Sequence, residues 1–229
     1  MTKVIGHGFL GKAFSKKKLK EKVIFFTSGV SNSNCISEKQ FNRERKKILN
    51  LKIKKDELLI YFSTCGIYDP SRNKKKYFKH KVDMEYLIKK NFTKFLIIRL
   101  PELIGKNNNK KTLVNNIYYN LLSNKKIFLF NGSKRNLIHI EDVVNLTTKL
   151  IRKKISNIII NLANTRFILP IDLLKIFEKI LNKKAKFKVI NVNKKSWYIN
   201  LTKIKNLIPK YNSIFNKNYI ETSIKKNYS

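Results

Sequence analysis

The stretch GHGFLGKAF, from Gly6 to Phe14, stands almost at the start of the chain and follows the short apolar lead Lys3–Ile5. Its glycines at 6, 8 and 11 have the spacing Gly-x-Gly-x-x-Gly, which is typical of a turn between a strand and a helix. Glycine permits the tight turn and lets a pyrophosphate approach the free N–H groups of the helix. The motif alone leaves two interpretations open: a dinucleotide-binding loop, or a glycine-rich turn without a ligand.

Apolar runs and amphipathic segments alternate along the rest of the chain. Runs such as VIFFT at 23–27, LLIYFS at 58–63 and FLIIRL at 95–100 predict buried strands. Further strands are predicted at 127–130 and 158–162, and helices at 9–14, 38–49, 81–89, 113–122 and 171–181. Strands that alternate with helices indicate a parallel sheet with helices on both faces. The expected fold class is therefore α/β, with a doubly wound parallel sheet.

Composition bounds the class of protein. With 229 residues and a hydrophobic fraction of 42%, the chain can bury a sizeable core and is unlike a disordered chain. No apolar run approaches the roughly 18 residues of a membrane span, and the early glycines interrupt any signal peptide. Cys35 and Cys65 are far apart and have neither metal nor redox spacing. We expect a globular cytoplasmic protein without a membrane association or a metal site.

The charge balance is strongly basic. The chain has 51 Lys and Arg against 14 Asp and Glu, a formal net charge of +37, which by itself suggests a nucleic-acid binder. Most of these residues are lysines spread along the whole chain, whereas arginine, the better reader of phosphates and base edges, is scarce. Abundant Lys, Asn, Ile, Phe and Tyr together are what an AT-rich genome produces. We expect nonspecific adhesion to polyanions but no specific nucleic-acid partner.

A second group of residues has the chemistry of an acid–base site. Tyr77 and Lys81 are four residues apart at a predicted helix start, so both side chains lie on one face. The ammonium can lower the pKa of the phenol from its usual value near 10, which makes the tyrosine a usable acid or base. A hydroxyl from Ser63 or Thr64, at the end of the preceding strand, could then orient a substrate alcohol or carbonyl. Tyr86 and Lys90 share this spacing, so spacing alone does not choose between the pairs.

The order of these segments resembles that of the extended short-chain dehydrogenase/reductases, the nucleotide-sugar epimerases and dehydratases. The resemblance runs from about residue 3 to about residue 182. Glu85 matches the glutamate that usually follows the family's Tyr-x-x-x-Lys motif, which selects Tyr77 and Lys81 over the second pair. Six segments carry the resemblance in the family's order: GHGFLGKAF for the nucleotide loop, FFTSGVSNS for the loop after a central strand, YFSTCGIYD for the Ser/Thr strand, YFKHKVDMEYL for the Tyr-x-x-x-Lys helix, FLIIRLPELIG for the arginine-bearing strand, and RNLIHIEDVV for a segment whose arginine commonly meets substrate phosphates.

The resemblance implies a Rossmann-like fold in a shortened form. We expect a dinucleotide-binding part at 1–105 and an interleaved remainder at 106–229 with a small substrate-binding region. Between Gly11 and the VIFFT run there is room for one short helix, so two strand–helix units of the family are missing. The acidic residue expected about 20 positions after the glycines, at the adenosine ribose, is missing with them.

The resemblance also implies roles for individual residues. Tyr77 would be the general acid/base, and Lys81 would hold the nicotinamide ribose. Thr64 rather than Ser63 would be the hydroxyl partner, because it lies four residues before Tyr68, which is the family's spacing between this hydroxyl and its aromatic residue. Arg135 would bind a substrate phosphate. The alternative interpretation of Arg135 is a solvated surface charge without a binding role. The implied cofactor is NAD or NADP, bound by Gly6, Gly8, Phe9, Leu10, Gly11, Ser28 and Lys81. The implied nucleotide-sugar substrate would contact Thr64, Glu102 and Arg135, in a monomer or a homodimer.

The implied activity is that of an NAD(P)-dependent nucleotide-sugar epimerase or keto-sugar reductase in surface-polysaccharide synthesis. Dehydratases of this family usually follow the threonine with an Asp-Glu pair, and here Cys65 and Gly66 take those places, which disfavours dehydration. One alternative is a catalytically idle family member that only binds dinucleotide or sugar, against which the retained Thr64, Tyr77 and Lys81 argue. The other is a basic nucleic-acid binder, which would need clustered arginines or interleaved aromatic residues.

Overall fold

A computed structural model describes residues 2–72, 74–107, 109–132, 134–192 and 197–229 of the chain. Within these residues, strands and helices alternate for most of the length. The strands are β1 (Thr2–Ile5), β2 (Val23–Phe26), β3 (Leu58–Thr64), β4 (Phe95–Leu100), β5 (Glu102–Ile104), β6 (Ile127–Asn131), β7 (Arg135–His139), β8 (Ile158–Asn161), β9 (Phe167–Ile168) and β10 (Phe187–Asn191). The helices are α1 (Phe9–Ser15), α2 (Glu38–Leu49), α3 (Lys76–Asn91), α4 (Leu113–Leu122), α5 (Ile140–Arg152), α6 (Pro170–Leu181), α7 (Thr202–Leu207), α8 (Tyr211–Ile214) and α9 (Tyr219–Tyr228), with a 3₁₀ helix at Cys65–Tyr68.

The chain forms two compact units that interleave along the sequence. The first unit contains Met1–Leu100, Glu141–Leu162 and Trp197–Ile208. The second contains Pro101–Ile140, Ala163–Ser196 and Pro209–Ser229. The chain therefore leaves and re-enters each unit, and neither is one continuous segment.

The first unit contains the expected parallel sheet. Among the described residues it has five strands in the order β1-β2-β3-β4-β8, and all neighbouring pairs are parallel. This confirms the α/β, Rossmann-like fold class. In the doubly wound order 3-2-1-4-5-6 the first strand is central, whereas β1 here lies at an edge of the sheet. The missing strand–helix units inferred from the sequence would have stood beyond that edge.

Helices cover both faces of this sheet. Side chains alternate between the faces along each strand. On one face, α2 and α3 pack against alternate strand residues in a cluster that includes Ile24, Phe26, Ile48, Leu59, Tyr61, Met84, Ile88, Phe95 and Ile97. On the other face, Phe14 of α1 packs against Phe25 and Phe62, with ring centroids 4.3 Å and 5.1 Å away.

The connection from β1 to β2 differs in hand from the next one. The strand order steps in one direction from β1 through β2 to β3, but α1 lies on the opposite face from α2. The β1–α1–β2 and β2–α2–β3 connections step in the same direction across the sheet but pass over opposite faces, so their hands are opposite. One of them is therefore left-handed, whereas about 98% of such crossovers are right-handed. The inference from the sequence that two strand–helix units are missing between α1 and β2 would account for this exception, because α1 stays on its face of the sheet while β2 lies on the side of β1 opposite to the missing strands.

The second unit has small sheets and a helical core. Its strand β7 pairs with β5 in parallel and with β9 in antiparallel fashion, and β6 pairs with β10 in parallel. Tyr228 of α9 packs against Tyr118 and Phe177, with ring centroids 4.9 Å and 5.3 Å away, and its hydroxyl donates to Asn115 Oδ1 at 2.7 Å. The elements after residue 182 were not predicted, although Ile220, Ile224 and Tyr228 have the i, i+4, i+8 spacing of a buried helix face.

We predict that Gly11→Ala destabilises the first unit. A Cβ on Gly11 would lie 2.1 Å from the carbonyl oxygen of Gly6, so α1 would have to move away from β1. Overpacking of this kind should lower the free energy of unfolding by about 2 kcal/mol or more, although alanine is the better helix former. Gly8→Ala is the matched control, because a Cβ there meets nothing within 4 Å. Urea unfolding of both variants checks this, and equal midpoints would contradict the close contact.

Candidate active site

The glycine loop joins β1 to α1 at the carboxyl end of the sheet, and its three glycines differ in what they do. Gly6 has φ of +116°, and a Cβ on it would lie 2.8 Å from the backbone nitrogen of Ser28. Gly6 and Gly11 therefore let backbone segments approach closely. Gly8 is exposed, and its missing side chain leaves open space beside the backbone. A phosphate group can reach this backbone without meeting a Cβ, so the loop fits a pyrophosphate.

The other residues predicted to bind the cofactor lie beside this loop. Phe9 and Leu10 form the first turn of α1 and are partly buried. Ser28 follows the end of β2, and its hydroxyl accepts a hydrogen bond from Lys47 Nζ at 3.0 Å. The hydroxyl of Thr27 donates to the carbonyl oxygens of Ile5 and Gly6, at 2.9 Å and 3.2 Å. The structure thus brings the glycine loop and the start of the loop after β2 together.

Tyr77 and Lys81 lie in the first turns of α3 and are both buried. Tyr77 is 7% exposed and Lys81 2%, and Lys81 Nζ lies 5.9 Å from the centroid of the Tyr77 ring. Tyr86, of the competing pair, is 67% exposed. Only the pair selected by the resemblance has the burial that perturbs the chemistry of a phenol and an ammonium.

A buried carboxylate that the sequence analysis did not identify binds this lysine. Glu44 Oε1 accepts hydrogen bonds from Lys81 Nζ at 3.0 Å and from the Tyr61 hydroxyl at 2.7 Å. Its Oε2 accepts from the backbone N–H of Val30 at 2.7 Å and lies 2.9 Å from Nε2 of His80. A signal was present in the sequence, because Glu44 lies on the buried face of a basic helix, between Phe41 and Ile48.

The pKa values in this cluster follow from burial and from the Glu44 charge. Burial raises the pKa of Glu44, but the hydrogen bond with His80, the Lys81 charge and the Val30 and Tyr61 hydrogen bonds outweigh it and bring that pKa to about 2. Burial lowers the pKa of Lys81, and Glu44 opposes this shift. Burial and the Glu44 charge raise the pKa of Tyr77 above its usual value. This direction is opposite to the one expected from the Tyr–Lys spacing, because that expectation included neither burial nor Glu44.

Thr64 and Ser63 have different surroundings at the end of β3. Ser63 is buried, and its hydroxyl donates to Glu85 Oε1 at 2.5 Å. Thr64 is partly exposed, and its hydroxyl oxygen accepts the backbone N–H of Gly66 at 3.0 Å, which caps the 3₁₀ helix. A Cβ on Gly66 would lie 2.4 Å from the Phe78 ring and 3.2 Å from Thr64 Oγ1. The Thr64 hydroxyl therefore lies near the turn that contacts the start of α3, and its O–H hydrogen has no acceptor among the described residues.

An ion pair behind this turn ties the strands to α3. Arg99 of β4 donates through Nε to Glu85 Oε1 at 2.9 Å and through Nη2 to Oε2 at 2.5 Å. It also donates through Nη1 to the Tyr68 hydroxyl, which in turn donates to Asn161 Oδ1 at 3.0 Å. Glu85 therefore fixes α3 against β3 and β4, which positions Tyr77 and Lys81 relative to Thr64.

The predicted substrate residues Glu102 and Arg135 lie in the second unit and contact each other. Arg135 Nη1 donates to Glu102 Oε1 at 3.0 Å across the parallel strands β5 and β7. The Arg135 side chain is only 13% exposed, so it is not the solvated surface charge of the alternative interpretation. Its Nε atom is buried and has no hydrogen-bond partner among the described residues.

The family follows from a comparison of sequences. The profile of the NAD dependent epimerase/dehydratase family matches residues 47–163, which is just over half of the chain. The chain belongs to this family. No curated protein sequence matches it significantly. The matched region contains Thr64, Tyr77 and Lys81, whereas the glycine loop lies before it.

Solved structures of epimerases and dehydratases share the fold. RMD from Pseudomonas aeruginosa, complexed with NADPH, has a TM-score of 0.76 at 10% identity, covering 98% of this chain and 96% of that one. UDP-glucuronic acid 4-epimerase from Bacillus cereus, in complex with NAD, has a TM-score of 0.67 at 16% identity, covering 96% and 76%. dTDP-glucose 4,6-dehydratase from Bacillus anthracis, in complex with NAD, has a TM-score of 0.64 at 17% identity, covering 90% and 73%.

The part of the chain that the structure describes shows neither a membrane-spanning helix nor a metal cluster. No helix there combines the length and apolar character that crossing a membrane requires. No group of three or more His, Cys, Asp or Glu side chains there is placed to hold a metal ion. Cys35 and Cys65 are both buried and free, and burial raises the pKa of the Cys65 thiol.

We predict that Glu85→Gln destabilises the first unit more than loss of a surface ion pair does. The substitution leaves the half-buried Arg99 guanidinium without its counter-charge, which should cost about 2–3 kcal/mol of unfolding free energy. Asp56→Asn is the control, because the Lys22–Asp56 pair that it removes is more than half exposed at both ends and should contribute little. Urea unfolding curves of the two variants check this, and a similar small effect of both would refute the role given to Glu85.

Proposed function

We propose that the chain is an NAD(P)-dependent nucleotide-sugar epimerase or keto-sugar reductase that acts in surface-polysaccharide synthesis, with Tyr77 as general acid/base. Family membership and the shared fold support an enzyme of the extended short-chain dehydrogenase/reductase type. Relatives of this fold have been solved with NADPH, with NAD, and with UDP-glucuronic acid together with NAD. Transfer of these ligand classes to the present chain is part of the proposal.

The observation that carries the proposal is the burial of Tyr77 together with Lys81 on one face of α3. A lysine at this depth is costly unless a function or a partner retains it. Here the ammonium is held by Glu44 and Tyr61 and lies against the Tyr77 ring. Two of its three donors are used by these partners, which leaves one for a ribose hydroxyl of the cofactor.

In this proposal the cofactor, Tyr77 and Thr64 have separate roles in the reaction. When bound, NAD or NADP would supply the hydride acceptor or donor. Tyr77 takes the proton of a sugar hydroxyl, or returns it to the oxygen of a keto-sugar in the reverse direction. Burial and the Glu44 charge raise the pKa of Tyr77, so the protonated phenol is ready to donate to the oxygen of a keto-sugar. Removal of a proton from a sugar hydroxyl requires that the phenol first release its own proton to solvent. Thr64 donates its O–H hydrogen to the same oxygen, because its own oxygen already accepts the Gly66 N–H.

Arg135 is assigned to a phosphate of the nucleotide sugar. Its buried Nε lacks a hydrogen-bond partner among the described residues, and such a donor favours an anionic acceptor. Glu102 holds the other side of the guanidinium and fixes its orientation. In the proposal, Glu102 therefore acts on the substrate region through Arg135.

We predict that Tyr77→Phe lowers turnover by 100-fold or more, since loss of general acid–base catalysis costs about 10²–10⁴-fold. Cofactor affinity should change little, because Lys81 and the glycine loop are untouched. Tyr86→Phe is the matched control, the same change at an exposed position of the same helix. Nicotinamide absorbance with a panel of nucleotide sugars measures turnover, and equal activity of Tyr77→Phe and parent would disprove the assignment.

We predict that Gly8→Asp and Gly8→Asn both weaken NAD(P)H binding, because each brings a side chain to the backbone that the pyrophosphate approaches, and that Gly8→Asp weakens it more. Gly8 is the N-cap residue of α1, where aspartate and asparagine cap a helix about equally well. The two variants should therefore be similarly stable, and only aspartate brings a negative charge to the pyrophosphate. Fluorescence titration with NADH and NADPH checks this. Affinities of both variants equal to that of the parent would mean that the pyrophosphate does not lie at Gly8.

A further inference from the structure

Glu44 is a buried charged residue that the reaction described above does not use. It receives hydrogen bonds from three elements of the first unit: the loop after β2 through Val30, strand β3 through Tyr61, and helix α3 through His80 and Lys81. A carboxylate buried for packing alone would be unfavourable, because an apolar side chain of similar volume would serve as well or better. The placement of four donors around it calls for a role in the site.

We propose that Glu44 is a positioning residue for the reaction, which holds the Lys81 ammonium and the loop after β2 in one fixed arrangement. This rests on the proposed function, because it acts through the lysine assigned to the cofactor ribose. It extends that function by naming a residue of α2 on which the geometry of Lys81 depends.

The Lys81 ammonium is held in place by two neighbouring groups. A lysine side chain has four rotatable carbon–carbon bonds, and fixing it costs up to about 2 kcal/mol of rotamer entropy. Glu44 and Tyr61 meet this ammonium at 3.0 Å each, and Tyr61 also donates to Glu44. The three groups form a closed ring of hydrogen bonds. The ammonium is therefore placed before any ligand arrives.

The loop after β2, which begins at Thr27 and includes Ser28, also lies against Glu44. The backbone N–H of Val30 donates to Glu44, and Gly29 lies against the ion pair itself. A Cβ on Gly29 would be 2.8 Å from Glu44 Oε1 and 2.9 Å from Lys81 Nζ, so the loop passes this closely only because residue 29 is glycine. One carboxylate thus fixes both the catalytic lysine and the loop that carries Ser28.

The charges that meet in this cluster are those of Glu44 and Lys81. Nδ1 of His80 is buried without a hydrogen-bond partner among the described residues, while Nε2 lies 2.9 Å from Glu44 Oε2 and Lys81 Nζ lies 3.0 Å from Oε1. Glu44 is balanced by Lys81. The other titratable groups that act on Tyr77, Lys81 or Tyr61 are Cys35 and Glu85. Removal of the Glu44 charge should lower the pKa of Lys81 and that of Tyr77, because each is raised by that charge.

The experiment compares Glu44→Gln with the parent and with Glu38→Gln. Glu38 lies on the same helix, and its side chain is 60% exposed, so this control makes the same chemical change outside the cluster. NADH and NADPH are titrated by fluorescence between pH 7 and pH 10. In Glu44→Gln, we expect affinity at pH 7 to fall on the order of tenfold. Affinity should be lost at alkaline pH when the Lys81 ammonium loses its proton. In Glu44→Gln this loss should begin about 1 pH unit lower than in the parent, because the Glu44 charge no longer raises the pKa of Lys81.

A second variant separates charge from position. Glu44→Asp keeps the charge but shortens the side chain, so affinity should fall while the alkaline loss stays where it is in the parent. The proposal is overturned if Glu44→Gln matches Glu38→Gln in affinity and pH dependence, or loses only thermal stability. It is also overturned if Glu44→Asp binds as tightly as the parent. Failure of the parent itself to bind either nucleotide would instead remove the proposed function, so the two failures are distinguishable.

Discussion

In a parallel sheet the carboxyl ends of all strands lie at the same edge, and the arrangement of the first unit depends on this constraint. The strands must be covered by helices on both faces, so each strand is followed by a loop at the carboxyl edge of the sheet. Gly6, Ser28 and Thr64 follow or end three neighbouring strands and meet at that edge. Helix α3 then begins next to Thr64 and brings Tyr77 and Lys81 to the same place. The candidate site is thus a consequence of strand direction, and its residues are distant in sequence for the same reason.

Acidic residues have an organising role in this very basic chain. Its 14 Asp and Glu residues include Glu44, Asp69 and Glu85, which are buried in the first unit. Glu44 and Glu85 each hold one cation and further donors there. A buried carboxylate must be paired, and it orients whatever it pairs with. Lys81 and Arg99 are accordingly fixed, while most of the other lysines remain exposed. The large net charge describes the surface of the molecule and bears little on the chemistry of the site.

The shortened nucleotide-binding half retains the backbone features of a dinucleotide loop. The close approach of Gly11 to Gly6, the positive φ of Gly6 and the open space at Gly8 are all present. The lost units would have lain beyond the edge strand β1, so their absence leaves this contact intact. It also leaves α1 on the face opposite α2, which accounts for the unusual hand of the first connection. The glycine loop lies outside the region matched by the family profile, so its geometry supports the cofactor assignment independently of that match.

The sequence by itself determined the parallel α/β fold and most strand and helix positions, and its resemblance to the family selected Tyr77 and Lys81 over Tyr86 and Lys90 as the candidate pair. These features are local or ordered along the chain, so periodicity and segment order reveal them. Only the tertiary structure revealed Glu44 beside Lys81, the pairing of Arg135 with Glu102, and the bounds of the two interleaved units. These contacts join residues that are tens of positions apart, and no local pattern encodes them. The pKa of Tyr77 depends on such contacts too, because burial and the Glu44 charge arise only when α2, β3 and α3 pack together.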